Sequence, residues 1–265
     1  MSSLQTSTPD SQPDEKYFDV MAEQARVHWW YRARRALVGQ VLRAELGGAA
    51  LSAGRHLVDV GCGTGDNMAA VAEAAGAAVV GTDLSAYALR HAPPGANGEG
   101  VVAVALGDAM PFASASTDVI TCMDVIEHVD DDVAVVTEFR RMLRPGGVVV
   151  LTTPAYSWMW SEHDVWAAHR RRYTAAQLAD VVGRGGLDVM RTTYYNSFLL
   201  PPAWLLRRTP LRRFVKTSND EVGAASPLVD RAFTVLANLE RRWVARRRLP
   251  AGLSIMLVAR RPPAG

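Results

Sequence analysis

Three glycines at alternate positions, Gly61-Cys62-Gly63-Thr64-Gly65, follow the apolar run Leu57-Val58-Asp59-Val60 and precede an alanine-rich segment from Met68 to Ala75. An apolar run, a glycine turn and a helix-forming run read as the first half of a nucleotide-binding β-α-β unit. Glycine is required there because the backbone turns sharply and a ligand must reach main-chain atoms with no Cβ in the way. Asp83 stands eighteen residues after Gly65, about the distance at which a carboxylate meets both hydroxyls of a ribose. Position 66 separates ligand classes. A dinucleotide fingerprint wants a small residue there, and Asp66 instead sets a carboxylate where a pyrophosphate would rest on the helix N-terminus. That like-charge clash disfavours NAD and suits a nucleoside that has no phosphate and carries a cationic centre.

The elements that must position these groups follow from pattern. At 265 residues the chain can bury a full core, with one α/β domain plus additions as the expected organisation. Residues 1–12 are rich in Ser, Thr, Gln and Pro and are expected to be a disordered tail. Helices are expected at 14–26 and 28–46, where Trp30 and Arg34 share a face. Strands are expected at 57–60, 78–83, 101–106, 118–123, 148–153, 187–197 and 253–260, and helices at 68–75, 86–92, 132–143, 175–182 and 227–248. Asp108-Ala109 then ends the third strand and Asp124 the fourth, so acidic residues recur at successive strand ends. The two cysteines, Cys62 and Cys122, make neither a disulfide framework nor a zinc site and read as reduced thiols filling small gaps.

With its glycine turn, Asp83, the Pro111-Phe112 and Arg144-Pro-Gly-Gly turns and the Val-rich fifth strand, the sequence resembles the class I S-adenosylmethionine-dependent methyltransferases, in their small-molecule branch. The resemblance runs over about residues 28–261 and is tightest between Leu57 and Thr153. It implies a doubly wound seven-stranded α/β sheet in the order 3-2-1-4-5-7-6, with the last strand antiparallel and ligands at the carboxyl ends of the strands. It implies S-adenosylmethionine as cofactor, held by Asp59, Gly61, Gly63, Gly65, Asp83, Leu84, Asp108, Ala109 and Asp124. Residues 13–50 are then a helical lid, with Tyr31 closing over the ligand and Arg34 facing its carboxylate. The same aromatics can equally serve only to pack the helix on the sheet. Residues 51–265 form the methyltransferase domain, interrupted by an insertion at about 198–250.

The reaction expected is methylation of a hydroxyl on a small molecule such as a natural product, a sugar or a lipid-linked intermediate. A sulfonium already makes its methyl group electrophilic, so the protein must align an acceptor and remove a proton. Imidazole has the appropriate pKa, which singles out His128 and His163 as candidate bases. His128 can alternatively play a structural role beside Glu127. The segment after strand five leaves the common core, and Tyr156, Trp160, His169, Arg171 and Tyr173 are its expected acceptor contacts. His169, beside Arg170-Arg171-Arg172, fits an anion-binding or solvated role. Asp124, Glu127, His128 and the aspartates at 130–132 invite a metal reading, but helix N-termini attract acids for dipole reasons, and no metal is expected.

Two other functions remain open: a non-catalytic S-adenosylmethionine-binding subunit, and an NAD(P)-dependent oxidoreductase, which lacks a plausible Tyr/Lys hydride site. The net charge of +2 makes no case for nucleic acid. The first twenty residues are polar and no run of eighteen apolar residues occurs, giving the expectation of a cytoplasmic protein. Between residues 198 and 250, eleven Lys/Arg stand against four Asp/Glu, a net of +7 interleaved with apolar segments. Such a stretch can be a lid, a homodimer surface, or a peripheral contact with an anionic membrane or a lipid-linked acceptor.

Overall fold

The computed structural model describes residues 13, 15–46, 56–76, 78–92, 101–103, 110–208 and 226–263. The expected tail at 1–12 and the cofactor contacts Asp108 and Ala109 lie outside the described residues, as does the whole stretch at 209–225. The chain opens with helices α1 (Glu15–Val27) and α2 (Trp29–Glu45). Strand β1 (Leu57–Val60), helix α3 (Met68–Ala75), strand β2 (Val79–Asp83) and helix α4 (Ala86–Leu89) follow, then the short strand β3 (Val101–Ala103), described in its backbone alone. Next come β4 (Thr117–Met123), α5 (Asp132–Met142), β5 (Leu143–Pro154), α6 (Glu162–Trp166), α7 (Ala175–Arg184) and β6 (Asp188–Tyr195). Helices α8 (Leu200–Arg208) and α9 (Pro227–Val244) precede the last strand, β7 (Ser254–Arg260).

The strands form one mixed sheet in the order β3-β2-β1-β4-β5-β7-β6. The first five pair in parallel, and β7 runs antiparallel between β5 and β6. Strands β1, β4 and β7 are buried along nearly their whole length because both faces are covered, which accounts for continuous apolar runs in place of alternation. Alternate side chains feed two cores. Val58, Val60, Ile120 and Leu151 point with Phe139 and Leu178 towards α5 and α7. Leu57, Val119, Val150 and Met256 point with Val38, Leu42 and Val71 towards α2 and α3.

Local signals set the helix ends. Gly76, at φ 62°, closes α3 in the left-handed conformation. Thr174 and Gln177 form a capping box at the start of α7, and Gly186, at φ 80°, lets the chain leave it. Strand β5 begins earlier than the expected residue 148. Leu143 already pairs with Thr117, and Gly146 and Arg261 extend the ladder by backbone hydrogen bonds of 3.0 Å (Gly146 N–H to Arg261 O) and 2.9 Å (Arg261 N–H to Gly147 O). Helix α9 stops at Val244, short of the expected residue 248, where the Arg191 guanidinium takes the Val244 carbonyl and the N–H groups of Arg246 and Arg247 turn back to Trp243 O. Both cysteines are buried free thiols.

The insertion is tied to the N-terminal helices. Asp230 of α9 accepts the Trp29 N–H at 3.0 Å and the Arg32 guanidinium at 2.7 Å, and Phe233 packs on the Trp29 ring at 5.1 Å. Asp230 thereby satisfies one of the orphan donors at the start of α2 from across the molecule. The opposite face of α9 exposes Leu228, Val235, Leu239 and Trp243.

Asp59 corrects an expectation. Expected to hold the cofactor, it lies off the cavity lining between β1 and β4, where Oδ1 accepts the Thr121 hydroxyl at 2.6 Å and Oδ2 has no partner among the described residues. As an odd position of β1 its side chain lies on the α2–α3 face of the sheet, beside Thr121, its registered neighbour on β4. Burial raises its pKa to about 7. Since the folded value lies above the unfolded one, folding takes up a proton between roughly pH 4 and 7, and the stability associated with the protonated form is lost as pH rises through that window. Asp59→Asn should therefore raise the melting temperature at pH 8, by an amount reflecting up to about 4 kcal/mol, and change it little at pH 4. Thermal unfolding at the two pH values checks this, and equal shifts would contradict it.

Candidate active site

A cavity of about 580 Å³ opens at the carboxyl ends of β1, β2 and β4, roofed by α1 and α2. Its floor is the glycine turn. Gly61 has φ 68°, and a Cβ on it would lie 2.2 Å from Val125 Cγ2, so no other residue fits between the two strand ends. Gly63, at φ 53°, also lines the cavity. Gly65 does not: at φ 76° it shapes the entry to α3, its N–H on Cys62 O at 2.9 Å and its carbonyl on Met68 N at 3.1 Å. Its role is to turn the chain, a correction to its placement among the ligand contacts. Asp66 accepts the Thr64 hydroxyl at 2.6 Å.

Asp83 is held rigidly at the end of β2. Oδ2 accepts the Gly63 N–H and Oδ1 the Ser85 N–H, each at 2.8 Å, which leaves further lone pairs on both oxygens towards the cavity. Burial raises its pKa against the pull of these backbone donors. Leu84 follows on the cavity wall, partly exposed. Asp83, Leu84 and the two glycines thus offer carboxylate, apolar and main-chain surfaces within one corner.

The roof comes from Tyr17, Phe18 and Met21 of α1 and from Trp30, Tyr31 and Arg34 of α2. Arg34 is 5% exposed, lies 4.5 Å from the centroid of the Trp30 ring and forms an ion pair with Asp124. Burial acts to lower its pKa, but Asp124, with Tyr195 and Tyr31 beside it, turns the net shift upward. Asp124 has φ 55° and is fixed by its N–H on Thr152 O and by the Thr152 hydroxyl on Oδ1, both at 3.0 Å. A non-glycine residue in that region costs backbone energy and marks a position that its surroundings over-determine. Burial likewise raises the pKa of Tyr31.

The far wall holds Glu127, His128, His163 and His169. Glu127 is fully buried, with Oε2 accepting the Thr153 hydroxyl at 3.0 Å and Oε1 lacking a partner among the described residues. Burial, reinforced by Asp124, pushes its pKa well above the usual carboxylate range. His128 places Nδ1 at 3.3 Å from the Ala168 carbonyl, and burial, with His169 adding to it, lowers its pKa to about 4. Burial also lowers the pKa of His163, again with His169 contributing. His169 places Nδ1 at 2.8 Å from Asp164 Oδ1. Asp164 further accepts the Ser161 N–H at 2.7 Å, the Ser161 hydroxyl at 2.9 Å, and Arg172 at 2.6 and 3.0 Å. Burial pulls its pKa up, but the hydrogen bonds from His169 and Arg172 prevail and hold it well below the ordinary range.

Four expected acceptor contacts lie away from the cavity lining. Tyr156 stacks between Trp158 and Tyr194 at 5.3 Å from each, and Trp160 is partly exposed to solvent. Arg171 pairs with Asp132 at 3.2 Å, and the buried Tyr173 gives its hydroxyl to the same carboxylate at 2.8 Å. These groups staple the segment after β5 to the start of α5. His169, expected in the same set, does reach the wall. Glu127 is marked in the sequence only through the metal pattern that was set aside, and the Asp164 partner of His169 and the wall residues Tyr17, Phe18 and Met21 carry no sequence signal. Ser161-Glu-His-Asp164 carries a capping-box signature that predicts α6, yet nothing in it shows that Asp164 will turn to His169.

Comparison with known proteins agrees with this geometry. Residues 58–151 match the methyltransferase domain family. Over 152 residues the chain is 36% identical to a ubiquinone biosynthesis O-methyltransferase of Cupriavidus pinatubonensis, covering 53% of this chain and 59% of that one. A protein of the same name from Methylococcus capsulatus is 41% identical over 108 residues, 38% of this chain and 44% of the relative. The chain thus spans about half the length of these curated relatives. Among solved structures, phosphoethanolamine N-methyltransferase 2 of Haemonchus contortus, in complex with S-adenosyl-L-methionine, superposes with a TM-score of 0.61 at 15% identity over 99% of this chain and 60% of that chain. Geranyl diphosphate C-methyltransferase of Streptomyces coelicolor gives a TM-score of 0.55 at 19% identity over 96% and 86%. At such identities the likeness is one of fold. Strand order and glycine turn are those of the class I, Rossmann-like methyltransferase fold, and residues 58–151 carry the match to the methyltransferase domain family.

Proposed function

We propose that the protein methylates a hydroxyl oxygen of a small molecule. The observation that carries this reading is the polarity of this cavity. Its near end offers Asp83, Leu84 and a glycine floor, and its far end offers His128 and His163, whose pKa values burial lowers. The near end fits the cofactor: Gly61 and Gly63 form a cradle in which a Cβ at Gly61 would collide with Val125, and Asp83 has lone pairs for two ribose hydroxyls. S-adenosylmethionine, when bound, supplies an electrophilic methyl group on a sulfonium centre. Tyr17, Trp30 and Tyr31 cover it from the roof and exclude water, and Asp124 and Glu127 face the region between the two ends.

His163 is assigned as the base. It lines the cavity, it is neutral, and no hydrogen bond to its ring occurs among the described residues, whereas His128 and His169 are each held through Nδ1. The acceptor hydroxyl passes its proton to the free imidazole nitrogen as the new C–O bond forms. The names of the relatives from Cupriavidus and Methylococcus support O-methylation and leave a natural product, a sugar and a lipid-linked intermediate as the acceptor classes.

Asp83→Ala should weaken S-adenosylmethionine binding by about 1.5–3 kcal/mol, because it removes a charged acceptor from the ribose. Calorimetry giving wild-type affinity for this variant would refute the placement of the cofactor. His163→Ala should lower kcat by about 10²–10⁴-fold at unchanged cofactor affinity. Because burial lowers the His163 pKa, the acid limb of the wild-type kcat profile should fall below about pH 6.5, activity being lost only where the imidazole becomes protonated. Full turnover in the variant would remove His163 from this role.

The exposed apolar residues Leu228, Val235, Leu239 and Trp243 of α9 support contact with a second copy of the chain or with an anionic lipid surface. No helix among the described residues is long and apolar enough to cross a membrane. Light scattering should report a dimer, or flotation should report binding to vesicles containing anionic lipid. A monomer that ignores such vesicles would leave α9 as a cover for α2 alone.

A further inference from the structure

We infer that the far end of the cavity is a metal site, in which Glu127, His128 and His169 bind one borderline divalent first-row cation such as Zn²⁺. One donor atom from each of these residues falls within a cluster no more than 4.8 Å across. A tetrahedral ion with bonds of about 2.0–2.2 Å separates its donors by about 3.3 Å, so each donor must move inward by less than about 1 Å. Proximity of acids and histidines alone would say little. Three further observations point to a ligand.

The first is Glu127 Oε1, which is fully buried, lines the cavity and has no hydrogen-bond partner among the described residues, while Oε2 is anchored by Thr153. A buried polar atom left unpaired in an otherwise satisfied network calls for a water or an ion beside it. The second is the orientation of the two imidazoles. His128 Nδ1 faces the Ala168 carbonyl and His169 Nδ1 faces Asp164, which fixes the tautomer in each case with the proton on Nδ1 and the lone pair on Nε2. The third is that His169 Nε2 lies 3.9 Å from Glu127 Oε1, on the side turned away from Asp164. A histidine that donates its other N–H to a carboxylate or a backbone carbonyl is the usual supporting arrangement for a metal ligand. Here both histidines have it.

The donor set selects the ion. Two neutral imidazoles and one carboxylate suit Zn²⁺ or a neighbouring transition metal, whereas Mg²⁺ and Ca²⁺ prefer all-oxygen sets. Three protein donors leave a position open, the pattern of a site that binds a reactant. That position adjoins the acceptor end, so the cation would hold the acceptor oxygen and favour its ionisation as a Lewis acid. The O–H bond then breaks with its proton passing to His163, the C–O bond forms, and the S–CH3 bond breaks. This catalytic role rests on the proposed methyl transfer. Metal binding itself does not.

The test uses the full chain without a histidine tag, stripped with a chelator and desalted, titrated with Zn²⁺ by calorimetry and with Co²⁺ by visible absorption. Wild-type protein should bind one equivalent, with Co²⁺ giving the intense d–d bands of a low-coordinate nitrogen and oxygen site. Glu127→Gln, which preserves shape, and His169→Ala should each weaken Zn²⁺ binding by at least about 10²-fold, and Asp164→Asn by about 10–100-fold through the orientation of His169. Circular dichroism establishes that each variant is folded, and Glu127→Gln decides the question if His169→Ala is not. Absence of a stoichiometric site, or Zn²⁺ affinity unchanged in folded Glu127→Gln, overturns the proposal and leaves the cluster as a proton relay. S-adenosylmethionine binding to the stripped protein is measured in parallel. Zn²⁺ binding without cofactor binding would refute the methyltransferase reading alone, and cofactor binding without Zn²⁺ binding would refute the metal site alone.

Discussion

The buried ion pair between Arg34 and Asp124 is the interaction on which the architecture of the site depends. It joins the roof, carried by α2, to the rim of the sheet at the end of β4. Taking two charges out of water is expensive, and their attraction compensates only where the remaining hydrogen-bonding capacity is met. Asp124 has such support, whereas Arg34 Nε has no hydrogen-bond partner among the described residues. The Thr152 hydroxyl and backbone hold Asp124, and the Trp30 ring lies against the guanidinium. Removing either partner would leave a buried charge alone, at about 3–5 kcal/mol. The pair also fixes where α1 can lie, because α1 packs on α2, and with it the Tyr17, Phe18 and Met21 side of the cavity. The Asp230 contacts to Trp29 and Arg32 then tie α9 to the same roof.

The parts of the site that were legible in the sequence are those made by main chain and by immediate neighbours. Gly61 and Gly63 had to be glycine for backbone reasons, and Asp83 followed from its distance along a β-α-β unit whose geometry is nearly invariant. Trp30 and Arg34 share a face because a helix has 3.6 residues per turn. The apolar runs of β1, β4 and β7 could be read as strands because their burial on both faces leaves only one composition open to them.

What was not legible depends on chain segments far apart. Asp164 and His169 are separated from Glu127 by a helix, a strand and a turn, and only the packing of the segment after β5 brings them together. Aromatic residues in that segment carry no mark of destination. Tyr156 and Tyr173 look like pocket residues by type, yet one stacks on Tyr194 and the other reaches Asp132, because a long loop crossing the sheet rim must be fastened to it. Asp59 misled for a related reason. A strand has two faces, and the acid nearest the glycine turn in sequence is engaged on its face by Thr121 of the neighbouring strand.

A cradle of Gly61, Gly63 and Asp83 faces a far wall of buried histidines and one orphan carboxylate, and the proposed methyl acceptor would lie between them. A crystal structure with bound S-adenosylhomocysteine tests this most directly. The account predicts ribose hydroxyls hydrogen-bonded to Asp83, the adenine against Leu84, and the sulfur directed towards the end of the cavity occupied by Glu127, His128 and His163. A nucleoside bound elsewhere, or with its sulfur turned away from the histidine wall, would contradict it.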